Sequence, residues 1–138
     1  MAVTANQLIV AQSPGGLQKG LVAASTTLYQ GTLAFSIAAS GYIDDDIAAG
    51  ANHFMGIVKE KADNSSGAAG DIDVELYTTG VFQMEGSGFT QALVGDKIYA
   101  VDNFTVNTTS ASQTLVGRCV EFISSTKIMV KIEVGVQA

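Results

Sequence analysis

Two segments with strict period-two alternation of apolar and polar residues constrain the fold more than any other feature of the sequence. In the segment 126–134, isoleucine and valine occupy every second position from 128 onwards, with lysine, methionine and glutamate between them. From 71 to 78, isoleucine, valine, leucine and threonine share one face, and aspartate, glutamate and tyrosine share the other. Successive side chains of a β-strand point to opposite faces of the sheet, so each pattern predicts a half-buried strand.

Further short extended runs are separated by glycine and serine clusters, and helical periodicity is limited to a turn or two at 44–53. The additional strands are expected at 7–10, 26–29, 33–37, 54–61, 81–85, 97–101, 104–106 and 115–123. Ser124-Ser125 and Asp102-Asn103 are short enough to close two antiparallel hairpins. Loop 63–70 has almost nothing to bury, which predicts a solvated, mobile connection. The sequence therefore predicts an all-β fold, a compact antiparallel β-barrel or β-sandwich with an extended N-terminal arm.

The length of 138 residues is typical of one domain with a hydrophobic core. The only proline, Pro14, lies in the breaker cluster Ser13-Pro14-Gly15-Gly16, which separates the first dozen residues from the rest. We therefore interpret residues 1–20 as an N-terminal arm or first strand and residues 21–138 as a single β domain.

The amino-acid composition limits the classes of molecule that this chain is expected to bind. Only 14% of the residues are charged, well below the roughly 25% of an average soluble domain. A surface with so few charges provides little electrostatic repulsion between copies of the chain. This composition favours a subunit of an assembly. The net charge of -6 disfavours binding to nucleic acid. No apolar run approaches the ~20 residues that cross a bilayer, and the N-terminus lacks the cationic start of a secretory signal. We expect no membrane partner and synthesis in the cytosol.

Residues that carry catalysis or bind metals are few and poorly spaced. His53 is the only histidine and Cys119 the only cysteine, so neither has the partners of a zinc site or a catalytic triad. The run Asp44-Asp45-Asp46 lacks the alternating ligands of a calcium loop and is more typical of a solvated acidic turn. Asp71 and Asp73 would lie on the outer face of a sheet. We expect no enzyme, no catalytic or metal-binding residue and no cofactor.

Seven short strings point to a family through their order and spacing between 26 and 134, although no single string is specific. They are Tyr29-Gln30-Gly31-Thr32-Leu33, Ser40-Gly41-Tyr42-Ile43, Phe54-Met55-Gly56-Ile57-Val58, Gly70-Asp71-Ile72-Asp73-Val74, Thr79-Gly80-Val81-Phe82, Val94-Gly95-Asp96-Lys97-Ile98-Tyr99-Ala100-Val101 and Leu115-Val116-Gly117-Arg118. The chain resembles a family of small tailed-phage and prophage proteins encoded among head genes, members of which are capsid decoration, or cement, proteins. Some relatives carry a recombinase-like label, but this chain has no nucleotide-binding loop and an excess of acidic residues, so we do not expect that activity.

The resemblance implies a structural virion protein. Such proteins bind the outer surface of an expanded icosahedral head, commonly as homotrimers, and stabilise contacts between major capsid subunits. Localisation on the outside of the virion would follow, after synthesis in the host cytoplasm.

The uncharged N-terminal arm is the expected capsid contact, because an extended segment can add as a strand to a sheet edge. Its contact residues are expected to be Asn6, Gln7, Leu8, Ile9 and Val10. The alternative for this run is the first strand of the domain's own sheet. The alternative for the whole chain is a non-catalytic surface- or carbohydrate-binding β module of a phage tail or adhesion apparatus. The lack of tryptophan argues against that module, because sugar platforms usually expose aromatic rings.

Overall fold

The structure, a computed structural model, describes residues 2–14, 16–132 and 134, in which all pairs of named strands are antiparallel. The strands are β1 (Ala11–Pro14), β2 (Leu17–Leu21), β3 (Thr26–Leu28), β4 (Leu33–Ser36), β5 (Ile43–Asp44), β6 (His53–Val58), β7 (Ala62–Asn64), β8 (Asp73–Tyr77), β9 (Gly80–Glu85), β10 (Lys97–Ala100), β11 (Val106–Asn107), β12 (Thr114–Ser124) and β13 (Lys127–Ile132). Two short 3-10 turns, Ala48–Gly50 and Gln91–Leu93, complete the elements of these residues.

Three sheets make up the domain. A six-stranded sheet has the order β1-β9-β13-β12-β10-β11, a five-stranded sheet has the order β2-β8-β6-β4-β5, and β3 pairs with β7. Isolated parallel bridges join Val22 to Ile43 and Glu85 to Thr105, so each large sheet curls until its two sides approach one another. The predicted all-β, antiparallel fold is confirmed, as two curled and packed sheets.

Two hydrophobic cores follow from the alternation along the strands. The larger core combines residues of both large sheets, among them Phe35, Phe54 and Val130. The smaller core joins the five-stranded sheet to the β3–β7 pair. In β4, Leu33 and Phe35 enter the larger core whereas Ala34 enters the smaller one, so this strand is buried on both faces.

The strongest sequence pattern is confirmed as a hairpin, with its connection one residue later than predicted. β12 and β13 pair with Ser124 opposite Lys127, so Ser125 and Thr126 connect them in place of Ser124-Ser125. Ile128, Val130 and Ile132 are buried on the inner face, as the alternation predicts. Met129 is also buried, although it lies on the other face. The acidic segment forms β8, which begins at Asp73 rather than at 71.

The connection between β10 and β11 differs from the predicted two-residue turn. Ala100 pairs with Val106, so the loop spans five residues, 101–105. The carboxylate of Asp102 accepts hydrogen bonds from the amides of Phe104 and Thr105, both at 2.8 Å, and these bonds stabilise the wider loop. The prediction of a two-residue turn at Asp102-Asn103 was therefore wrong. Both residues tolerate a tight turn, but the side chain of Asn103 is buried in the interior.

Loop 63–70 also differs from its prediction, because it contains a buried side chain. Asn64 is 3% exposed, and its Nδ2 donates to the carbonyls of Ala23 (2.9 Å) and Ala68 (3.0 Å). The expectation that this loop has almost nothing to bury is therefore wrong. The amide connects the end of β7 to the neighbouring loops, and its own buried donor is satisfied by these carbonyls.

The N-terminal region is divided differently from the sequence prediction. β2 runs from Leu17 to Leu21 and pairs with β8, so a boundary at residue 20 falls inside a strand of the body. The run 7–10 is not a strand, and the first strand is β1, which pairs with β9. Residues 3–10, which precede β1, are called the N-terminal segment below.

Candidate interaction surface

The N-terminal segment is attached to its own domain by backbone hydrogen bonds at two places. The amide of Gln7 donates to the carbonyl of Gln30 at 2.5 Å, and the amide of Gln30 donates to Oδ1 of Asn6 at 3.2 Å. Further along, the amide of Gln83 in β9 donates to the carbonyl of Val10 at 2.7 Å. The backbone of the segment thus follows the surface formed by the loop before β4 and by β9.

A third attachment is made by a buried side chain. Asn103 is 1% exposed, accepts from the amide of Val3 at 2.9 Å and donates to the carbonyl of Val3 at 3.3 Å. Its own carbonyl accepts from the amide of Leu33 at 2.7 Å. Asn103 therefore connects the start of the chain to β4. Sequence reasoning missed this role, since a lone asparagine in a loop gives no signal of a partner 100 residues away.

The side chains of the N-terminal segment are divided between the core and solvent. Ile9 packs against the larger core, while Leu8 is 84% exposed. A cavity of about 20 Å³, large enough for a single water molecule, is lined in part by Leu8, Ile9 and Val10. The segment also passes close to Gly31, where φ is +79° and a Cβ atom would lie 2.6 Å from the carbonyl oxygen of Gln7. The five predicted contact residues thus lie together on the domain's own surface, and their contact with a capsid stays a prediction.

The three consecutive carboxylates, Asp44, Asp45 and Asp46, form a compact acidic turn that begins at the last residue of β5. The amide of Asp45 donates to Oδ1 of Asp44 at 2.8 Å, and the amide of Ala48 donates to Oδ1 of Asp46 at 3.1 Å. Burial raises the pKa of Asp45 to about 6, helped by the hydrogen bond and charge of Asp44. Among the described residues, no group of three or more His, Cys, Asp or Glu is placed to hold a metal ion.

The remaining candidate residues are dispersed. His53 is exposed at the start of β6, and Cys119 is fully buried in β12, where burial raises the pKa of its thiol. A raised thiol pKa lowers the thiolate fraction and so its reactivity. The carboxylate of Asp71 accepts from the amide of Ala68 at 2.9 Å, outside β8, whereas Asp73 begins that strand. Asp71 therefore stabilises a turn and does not share a strand face with Asp73.

Comparisons with known proteins add no assignment: no protein-family model, curated protein or solved structure matches the chain. In the described ranges, no helix is long and apolar enough to cross a membrane.

Replacing Asn103 with alanine is expected to lower the free energy of unfolding by about 2 kcal/mol, because the amide and carbonyl of Val3 lose their partly buried partner. Chemical denaturation measures this loss. Hydrogen exchange is expected to accelerate at the amide of Val3. Asn107→Ala is the control, since its Oδ1 only accepts from Thr109 in an exposed turn, and its cost should stay below about 1 kcal/mol. Equal costs for the two variants would contradict the anchoring role of Asn103.

Proposed function

We propose that this chain is a non-catalytic structural protein that binds the outer surface of an expanded tailed-phage head and stabilises contacts between major capsid subunits. The observation that carries the proposal is the N-terminal segment, which is uncharged and presents Leu8 at 84% exposure from a backbone that is already attached to the domain. An exposed leucine on an ordered backbone supports a role in a contact, since burying it gains about 2 kcal/mol with little further ordering.

The family resemblance and the composition support the same function. Only 14% of residues are charged, which suits a subunit that is surrounded by others in an assembly. Its partners are the major capsid protein and further copies of itself, as a homo-oligomer with a trimer as the expected form. The protein is made in the host cytoplasm and resides on the outside of the virion.

The mechanism is stabilisation by mass action. A ligand that binds the expanded shell and not the unexpanded one shifts the equilibrium towards expansion, by an amount that grows with its concentration relative to its dissociation constant. Many copies on one shell multiply a modest free energy per site, and oligomeric subunits add avidity. The exposed Leu8 adds one apolar contact per subunit, which is repeated over the whole lattice.

The alternative, a carbohydrate- or surface-binding module, is less well supported by the aromatic side chains. All six phenylalanines and all four tyrosines are buried or half-buried, among them Phe35, Phe54, Phe82 and Phe89 in the larger core. Sugar-binding platforms need aromatic faces open to solvent.

The proposal is tested by mixing the purified chain with expanded and unexpanded heads that lack it, prepared from the phage or prophage that carries its gene. Sedimentation and cryo-electron microscopy then count the bound copies. Saturable binding at symmetry positions of expanded heads alone is the expected result. Binding to neither form would overturn the proposal, and binding to polysaccharide from the host surface would instead favour the alternative.

Replacing Leu8 with aspartate is expected to weaken binding to expanded heads at least about tenfold, because a charge replaces the buried apolar contact. The control is Val94→Asp, which makes a similar change at another exposed aliphatic residue, 41% exposed, outside the N-terminal segment. Both variants are expected to keep the unfolding midpoint of the parent chain. Equal binding by the Leu8 variant and the parent would exclude the N-terminal segment as the contact.

A further inference from the structure

Three of the seven basic residues form a row across the outer face of the six-stranded sheet. Lys97 in β10 lies directly opposite Arg118 in β12, and Arg118 lies directly opposite Lys131 in β13. All three side chains are exposed. Directly opposed residues on neighbouring strands have Cβ atoms about 5 Å apart, so the three positive charges are close together. We call these residues the cationic row.

Folding alone does not account for the cationic row. Like charges directly opposite one another destabilise a sheet, and here this happens twice in succession. Arg118 uses Nη1 to donate to the carbonyl of Gly95 at 3.0 Å, which fixes the guanidinium without neutralising it. Within residues 2–14, 16–132 and 134, no ion pair joins a member of the row to a carboxylate. A local arrangement that costs stability is typical of a functional surface.

The charged neighbours of the row are few. Glu121 lies further along β12, opposite Met129, and has an interaction of its own. Asp96 precedes Lys97, and its backbone carbonyl accepts from the amide of Cys119. Its carboxylate is close enough to Cys119, next to Arg118, to add to the effect of burial in raising the pKa of that thiol. Lys127, at the far end of β13, lies opposite Glu85. Glu133 lies outside the described residues. The row thus remains a concentrated positive site on a chain whose net charge is -6.

The complementary charge is present on another part of the same chain. The acidic turn of Asp44, Asp45 and Asp46 lies at the end of β5, at the edge of the five-stranded sheet, whereas the cationic row lies on the six-stranded sheet. No basic residue contributes to the electrostatic environment of Asp45, which is shaped by burial and by Asp44 and Asp46. The described part of the chain therefore presents a positive and a negative site on different sheets.

We propose that the cationic row of one copy binds the acidic turn of a second copy. In this contact the attraction between opposite charges offsets the repulsion within each site. Electrostatic complementarity sets the orientation of the two copies. The contact joins two different patches, so it is heterologous and leaves one free site of each kind at the ends. Successive contacts then close into a ring or continue as a chain, depending on the angle between them. This self-association does not require a head, so it is tested without one.

The test is sedimentation velocity of the full chain over a range of concentrations, at low and at high salt. The expected result is a species heavier than the 14.2 kDa monomer, with an association that weakens as salt rises because the charges are exposed. The double variant Arg118→Glu and Lys131→Glu is expected to raise the dissociation constant at least about tenfold. Lys61→Glu is the control, since Lys61 lies outside the row, 5.3 Å from the ring of Tyr29. Circular dichroism verifies that each variant is folded.

Reversing the charges of both sites tests whether these two sites bind one another. A variant carrying Asp44→Lys and Asp46→Lys is expected to self-associate weakly, as is the Arg118→Glu and Lys131→Glu variant, whereas a mixture of the two is expected to associate through the reversed pair. A parent chain that stays monomeric at every concentration would overturn the proposal. An oligomer that is unaffected by either double variant would overturn it as well, because other surfaces would then hold the copies together.

Discussion

Alanine at position 56 is expected to destabilise the protein by about 4 kcal/mol, the sum of backbone strain and a steric clash. Gly56 lies in β6 with φ at +143°, a conformation that residues with a side chain rarely adopt. A Cβ atom there would lie 2.4 Å from the carbonyl oxygen of Tyr77 in the neighbouring strand β8. Neither β6 nor β8 can move away freely, because β6 is also paired with β4 and β8 is also paired with β2. Chemical denaturation of both proteins measures the difference.

Gly41→Ala separates the two contributions. Gly41 has φ at +79°, but no heavy atom lies within 4 Å of the point that a Cβ atom would occupy, so this substitution introduces strain without a clash. Its expected cost is about 1 kcal/mol. If the two substitutions had the same cost, the close approach of β6 to β8 at Gly56 would be refuted.

Truncation of Phe35 to alanine is expected to lower the free energy of unfolding by about 4 kcal/mol, through lost burial and the cavity that remains. Phe35 is fully buried in β4, and its ring centroid lies 6.1 Å from that of Phe54 with an interplanar angle of 60°. A strand that is buried on both faces has little freedom to collapse into the cavity. Calorimetry and denaturant unfolding both report the loss.

The control for this truncation is Phe122→Ala in β12. The Phe122 side chain is only half-buried and packs at the margin of the larger core, so about 1–2 kcal/mol is expected. A loss for the Phe35 variant no greater than that for Phe122 would mean that the centre of the core is not at β4.

Strands with a clear alternation were predictable because their burial is encoded locally. The β12–β13 hairpin is the best example, since Ile128, Val130 and Ile132 mark its inner face and only two residues connect the strands. β2 could not be predicted in the same way, because its residues Leu17–Leu21 are largely exposed and carry little hydrophobic pattern. Its position depends on pairing with β8, more than 50 residues later in the chain.

The candidate site was predictable only in part, for the same reason. The lack of charge in residues 6–10 singled out the N-terminal segment, but its partners Gln30, Gln83 and Asn103 belong to three distant parts of the chain. The cationic row likewise needs the register of three strands, which includes an irregularity between Cys119 and Glu121. Alternation assigns a residue to a face but does not identify the residue opposite it.

The attachment of Val3 to Asn103 also orders events during synthesis, since the two residues are separated by 100 positions. At about 5–20 residues per second, the ribosome needs about 5–20 s to deliver Asn103 after Val3 has been made. For that interval the start of the chain has no final partner at this site. Docking of Val3 at this site is therefore a late event in the maturation of each copy, although Val3 is translated well before Asn103.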